Sequence, residues 1–353
     1  MSKIIYYIGA GASYGTKDAR EILEEGTENE RLIVREGLPV VSEIALCLKS
    51  FKIAVENAEI DPNQFYVFNN KYQQQGDHII ETQKRLIEDI DELYKATKEH
   101  ATIDTYAKKL YLTNKENKLK KLKDVLCIFF VWAQIEGKTD PRYDTFLANI
   151  LQNNLALPKV LSIISWNYDS QFEIAYNSYS KERSLPIYDK NADGDYCQSN
   201  DNGKIFKVNG SANIEDSNLV NKILKETDIP SIIQLIEYYK DLYTDTQEFG
   251  YRFHSHLSFA WEKSEKQNQL MEEIRKTTAD TETVVVIGYS FPFFNREIDR
   301  QLLSNMRNLK RIYIQCPNPM SVESSLRATL PEDNKIIIEH ISDCSQFYLP
   351  RDL

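Results

Sequence analysis

Lys3-Ile4-Ile5-Tyr6-Tyr7-Ile8-Gly9-Ala10-Gly11-Ala12-Ser13 decides the fold, because an apolar run there breaks straight into small residues. The pattern reads as a strand emptying into a nucleotide-binding turn. Glycines let the backbone take positive φ and approach a pyrophosphate, while the free N–H groups of a following helix face negative charge. Only Gly9 and Gly11 are fixed, and no third glycine completes the dinucleotide fingerprint. The turn therefore needs support from the rest of the chain.

That support begins with further short, apolar, β-branched runs at Lys159 to Ser165, Lys204 to Val208, Thr283 to Ile287, Arg311 to Gln315 and Lys335 to Glu339. Strands buried on both faces of a parallel sheet have this composition. Helical stretches separate several of them, Phe294 to Met306 among these. The fold class expected is α/β: a Rossmann-like, doubly wound, mostly parallel sheet of about six strands. A large helical insertion follows the first strand and a second precedes the last strands. The domain expectation is a sheet domain of residues 1–40 and 158–353, carrying an insertion over about 212–280, and a helical insertion domain of residues 41–157. Lys17 to Glu36 reads as a charged excursion and Asn191 to Gly203 as a polar loop.

Bulk composition narrows the function classes. Among 353 residues, 43 Lys and Arg face 53 Asp and Glu, giving a net charge of −10 that argues against a protein whose main work is gripping nucleic acid. Lys115, Lys118, Lys120, Lys121 and Lys123 cluster, but Leu119, Leu122, Leu126 and Phe129 recur at helical spacing among and beyond them, so the lysines read as a solvated helix face. Five scattered cysteines with no Cys-x-x-Cys pair suggest neither a disulfide framework nor a zinc site, and no metal is expected. The longest apolar run, Val125 to Ala133, is far short of a membrane span and reads as a buried helix. With no secretory leader in the sequence, a cytoplasmic location is expected.

Ligands of doubly wound sheets bind at the carboxyl ends of the strands. Five such ends carry small or amide residues: Gly9 to Ser13, Asn167-Tyr168-Asp169, Asn209-Gly210-Ser211, Gly288-Tyr289-Ser290 and Pro317-Asn318-Pro319. Turn chemistry alone favours such residues at each place. Their recurrence at five ends points to a shared crevice.

This ordered set, with Gly37-Leu38-Pro39 between the first and second blocks, resembles the sirtuin-like NAD-binding proteins, and within them the bacterial branch that lacks a zinc module. The resemblance implies that NAD is the substrate. It further implies that Gly9, Ala10, Gly11, Ala12, Ser13, Pro39, Gly210, Ser211, Gly288, Ser290 and Asn318 contact the dinucleotide. Asn167 is placed beside the nicotinamide ribose, and Asp169 either assists it or caps the following helix. Where the family pattern has a histidine, this chain has Asn209, an amide that cannot titrate near neutrality. His254 and His256 are the close histidine pair that offers a replacement base.

Three functions follow as expectations. The first is an NAD glycohydrolase serving antiphage defence by abortive infection, working as a homo-oligomer with a protein partner: an ATPase, an Argonaute-like protein or a sensor subunit. The second is a catalytically impaired NAD- or ADP-ribose-binding scaffold, and the third is an NAD-dependent deacylase.

Overall fold

The computed structural model describes residues 3–15, 37–60, 73–137, 139–180, 185–189, 202–214, 231–243, 255–331, 335–351 and 353. In chain order they build β1 (Lys3–Ile8), α1 (Ile44–Glu56), α2 (Gln73–Glu99), α3 (Ile103–Leu112), α4 (Glu116–Glu136), α5 (Pro141–Ile150), β2 (Leu161–Ser165), α6 (Gln171–Asn177), β3 (Ile187–Tyr188) and β4 (Ile205–Lys207). Next come β5 (Gly210–Ile214), α7 (Ile232–Tyr243), β6 (Ser255–Leu257), α8 (Glu265–Thr278), β7 (Thr281–Ile287), α9 (Arg296–Asn305), β8 (Arg311–Gln315), α10 (Pro319–Arg327) and β9 (Ile337–Ile341). Two compact units result: Met1–Gly15, Thr139–Ser211 and Ser258–Leu353 form one, Thr16–Lys138 and Ala212–Leu257 the other.

The first unit is an α/β domain around a seven-stranded sheet of order β3-β4-β2-β1-β7-β8-β9, with every pair parallel. The chain starts in the middle, builds outward on one side, then returns to build outward on the other. This is the doubly wound arrangement, and β1 is its switch point. Ile4, Ile5, Tyr6, Tyr7 and Ile8 are all 0 % exposed, because both faces of β1 are covered. Alternation sorts their side chains into two cores. Ile5 and Tyr7 join Ile164, Val284, Val286, Ile312 and Ile314 on one face. On the other, Ile4, Tyr6 and Ile8 join Leu161, Ile163, Val285 and Ile287. Each such side chain contributes about 1.5–3 kcal/mol of burial free energy, so the strand order rests mainly on this two-sided packing.

The strands read from sequence are present, and β3 makes seven in place of about six. At two residues β3 is too short to show a period. The domain boundaries also differ from expectation. Helix α5 belongs to the sheet unit, and its Tyr143, Phe146, Leu147 and Ile150 enter the core of Ile4, Tyr6 and Ile8. The second insertion divides, with residues up to Leu257 in the other unit and Ser258 onward, including α8, in the sheet unit.

The other unit gathers α1 to α4 and α7. Val125 to Ala133 is buried throughout within α4, as an all-round apolar helix segment requires. Of the lysine cluster, Lys118 pairs with Glu92, Lys120 with Asp124, and Lys121 with both Asp89 and Glu92. No helix among the described residues is long and apolar enough to cross a membrane. Residues 17–36 and most of 191–203 lie outside the described residues.

The turns after β1 and β7 meet backbone to backbone. The Gly9 N–H donates to the Ile287 carbonyl at 3.0 Å, and the Gly11 N–H to the Gly288 carbonyl at 3.0 Å. A Cβ on Gly9 would lie 2.6 Å from the Gly288 oxygen, and one on Gly11 2.8 Å from the Gly288 Cα. Gly288 has φ +62°, and a Cβ there would run into the Ala12 nitrogen. Gly288→Ala combines a left-handed backbone with a collision, so a loss of at least about 2 kcal/mol is expected in urea unfolding. A loss under about 0.5 kcal/mol would show that the two turns do not pack this closely.

Candidate functional site

Four strand ends of the sheet unit are tied together by side chains. The Trp166 N–H continues the β1–β2 ladder by donating to the Ile8 carbonyl at 2.9 Å, which brings Asn167 beside the first turn. There Ser13, 1 % exposed, is a hub. Its hydroxyl donates to Asp169 Oδ2 at 2.8 Å, Asn167 Nδ2 donates to it at 3.2 Å, and Tyr143 Oη lies 2.7 Å away. Across β1, the Trp166 indole stacks on the Tyr289 ring at 4.9 Å and 7°. From β4, Asn209 Nδ2 donates to the Trp166 carbonyl at 2.9 Å.

Asp169 accepts on both of its carboxyl oxygens. Oδ1 accepts from the Gln171 N–H at 3.2 Å and so caps α6, while Oδ2 meets Ser13. The buried Lys207 ammonium donates to the Asp169 carbonyl and to Glu173 at 2.7 Å. This ion pair fixes the start of α6 against β4.

Asn209 is a brace. Besides its bond to Trp166, its Oδ1 accepts from the Ala260 N–H at 2.9 Å, and its own carbonyl accepts from Ser258 N–H at 2.8 Å. Both ends of the amide are engaged with backbone, and no proton can be taken up there. Asn167 differs. Its Nδ2 is held by Ser13, whereas its Oδ1 has no hydrogen-bond partner among the described residues. It is an oriented acceptor at the carboxyl edge of the sheet, suited to a sugar hydroxyl or a water.

The remaining sequence candidates divide. Gly9, Gly11 and Gly288 spend their missing side chains on turn-to-turn packing, with Ala10 half-buried and Ala12 buried between them. Gly210, at φ +69°, and Ser211 follow Asn209 into β5, where Ser211 Oγ sits 3.5 Å from Asp189. Ser290 and Asn318 are exposed at the ends of β7 and β8, and Asn318 precedes α10. The geometry thus joins Ser13, Asn167, Asp169 and Asn209, with Gly9, Gly11 and Gly288 beside them. Pro39 and His256 belong to the helical unit, where Pro39 is buried and His256 sits on β6, while His254 lies outside the described residues.

Two residues at this place escaped the sequence reading, Arg142 and Tyr143. The Arg142 guanidinium donates to the Ala12 carbonyl at 2.9 Å and to the Cys344 carbonyl at 3.0 Å, and Asp140 pairs with it. The available signal was local: Asp140 followed by Pro141 marks a capped helix start.

Residues 161–338, just over half of the chain, match the model of the SIR2-like domain. The chain belongs to the SIR2-like family. NAD use and a sirtuin-like function come with that membership. The matched segment starts at β2, so the first turn joins the SIR2-like region through the bonds of Ser13 to Asn167 and Asp169. No curated protein matches the chain. Among the described residues, no group of three or more His, Cys, Asp or Glu is placed to hold a metal ion.

Burial raises the Asp169 carboxyl above its ordinary value, against the lowering pull of Lys207 and the Ser13 hydrogen bond. The folded chain therefore holds this proton more tightly than the unfolded chain. The stability contributed is full below the unfolded pKa of about 3.9 and is lost as pH rises through the raised value. In urea titrations from about pH 4 to 8, Asp169→Asn is expected to gain on the wild type as pH rises. Curves that run parallel would show that burial does not perturb this carboxyl.

Proposed function

We propose that this chain is an NAD glycohydrolase that cleaves NAD, with water as acceptor, to nicotinamide and ADP-ribose. The observation that carries the reading is the Asn167 amide, with Nδ2 fixed on Ser13 and Oδ1 open at the switch point of a SIR2-like sheet. Nicotinamide is cationic in NAD and leaves neutral, so bond cleavage needs no strong acid. It needs a pinned ribose, stabilised positive charge on the sugar and a placed acceptor. In this reading Asn167 Oδ1 accepts from the ribose hydroxyl or the attacking water, whose proton passes to solvent. The Gly9 to Ser13 turn, Gly288 and Ser290 hold the pyrophosphate and adenosine, Gly210 and Ser211 contact the dinucleotide, and Asn318 meets the adenosine ribose.

The proposal extends to a cytoplasmic effector of antiphage defence, assembled as a homo-oligomer and held idle until a partner or an assembly step activates it. The sequence blocks shared with the bacterial zinc-less branch support that extension.

A second reading has its own observation. Asn209 stands where the family has histidine, and both ends of its amide are taken by backbone groups. A chain built this way can bind nucleotide without cutting it.

Nicotinamide release from NAD separates the readings, measured on the purified chain alone and with its genomic neighbour or a phage-infected lysate. Glycohydrolase activity predicts release that Asn167→Ala lowers by about 10²-fold or more. Calorimetric binding of NAD without turnover in any mixture would leave the binding subunit standing. Turnover that needs an acetylated peptide would make the chain a deacylase.

A further inference from the structure

We propose that the turn after β7 is a strap latched by a proton: Asp299, buried as a neutral acid, holds Tyr289 and keeps residues 288–295 closed, and the strap opens as that carboxyl ionises. The inference stands apart from the glycohydrolase reading, because it concerns the free chain.

The strap is strained. Gly288 has φ +62° and the buried Phe291 φ +50°, a left-handed conformation that a bulky side chain rarely adopts. Such a backbone persists only where its surroundings hold it. Here one phenol does much of the holding. The Tyr289 ring lies on Trp166 at 4.9 Å and against Phe291 at 4.9 Å, while its hydroxyl reaches α9, 3.2 Å from Asp299 Oδ1 and 3.0 Å from Oδ2. Asn295 Nδ2 donates to the same hydroxyl at 3.2 Å.

Asp299 is 0 % exposed, and among the described residues its side chain has no hydrogen-bond partner besides Tyr289. A carboxylate offers lone pairs to several donors, whereas the phenol has one hydrogen. No cation among the described residues makes up the difference. The titratable groups that act on Asp299 are the buried phenols of Tyr289 and Tyr7. Charges on the neighbouring helices are engaged elsewhere or exposed. On α8, Arg275 and Lys276 pair with Glu272, Glu273 pairs with Lys204, and Glu265 and Lys266 are exposed. On α9, Arg296 lies over the Phe293 ring, Arg300 donates to the Ala328 carbonyl and Glu297 is exposed; on α10, Arg327 pairs with Glu323. An unpaired charge at this depth is far costlier than a neutral carboxyl, and burial accordingly raises the Asp299 carboxyl well above its ordinary value. Hydrating that carboxyl means breaking the Tyr289 contact, and the strained strap is the segment whose release does so.

A hydrated Asp299 ionises near about 3.9, so above about pH 4 each pH unit favours the open strap about tenfold until the buried value is passed. The advantage of the closed strap is full below about pH 4 and is lost as pH rises.

Hydrogen exchange of the full chain without NAD, followed from about pH 6 to 8, tests this. Exchange is base-catalysed and climbs about tenfold per pH unit by itself, so amides of residues 289–299 that exchange through strap opening are expected to climb about a hundredfold. Asp299→Asn, an uncharged side chain of the same shape, should return them to about tenfold. Tyr289→Phe keeps the ring on Trp166 and should speed exchange of the same amides at every pH. A protonated-carboxyl band in the infrared spectrum near neutral pH, lost in Asp299→Asn, is the second expected result. A climb of only about tenfold in the wild type, unchanged exchange in Tyr289→Phe, or a missing infrared band would overturn the proposal. Extra pH dependence spread evenly over every strand would overturn it as well, by tying Asp299 to global unfolding.

Discussion

The hydrogen bonds of one buried hydroxyl, Ser13 Oγ, hold the site of this molecule together. It joins the turn after β1 to the end of β2 through Asn167 and Asp169, and to α5 through Tyr143. Buried polar groups are costly unless fully partnered, and here every valence of the hydroxyl is used. The glycine contact between the turns after β1 and β7 supplies the second tie, and the Trp166–Tyr289 stack the third. Loops far apart in sequence are fixed relative to one another before any ligand arrives, which is the preorganisation that electrostatic and positional catalysis requires.

Asn209 stands where the resemblance implies a histidine, and it braces the site. Its amide satisfies the Trp166 carbonyl and the Ala260 N–H together. An imidazole has one donor and one acceptor in its neutral form but a different span, so the brace and a titrating base are competing uses of the same position. The architecture here favours rigidity. An amide takes up no proton near neutrality, so the proposed function relies on placement of ligand against the Asn167 carbonyl.

Much of this was legible in the chain. Strands buried on both faces are short, apolar and β-branched, so β1, β2, β4, β7 and β8 declare themselves, the half-buried edge strand β9 shares their isoleucine-rich composition, and the small residues at the strand ends mark the candidate functional edge of the sheet. The all-round apolar run of α4 is equally plain. Tertiary contacts decided the rest. The stripe of Tyr143, Phe146, Leu147 and Ile150 identifies a helix but does not say which core it enters, and only the tertiary contacts put it against Ile4, Tyr6 and Ile8. The small residues at Gly9, Gly11 and Gly288 mark turns, but that the two turns pack backbone against backbone there depends on the distance between β1 and β7. Lys207 and Glu173 carry no sequence signal of pairing, because a buried ion pair depends on the distance between β4 and α6.

The claim at the centre of this account is that the carboxyl-end turns around Ser13 and Asn167 receive the dinucleotide. Hydrogen–deuterium exchange of the full chain with and without saturating NAD tests it most directly. Slowed exchange in peptides covering residues 9–15, 165–171 and 288–291 is the predicted result. Protection confined to other segments, or no protection at saturating NAD, would contradict it.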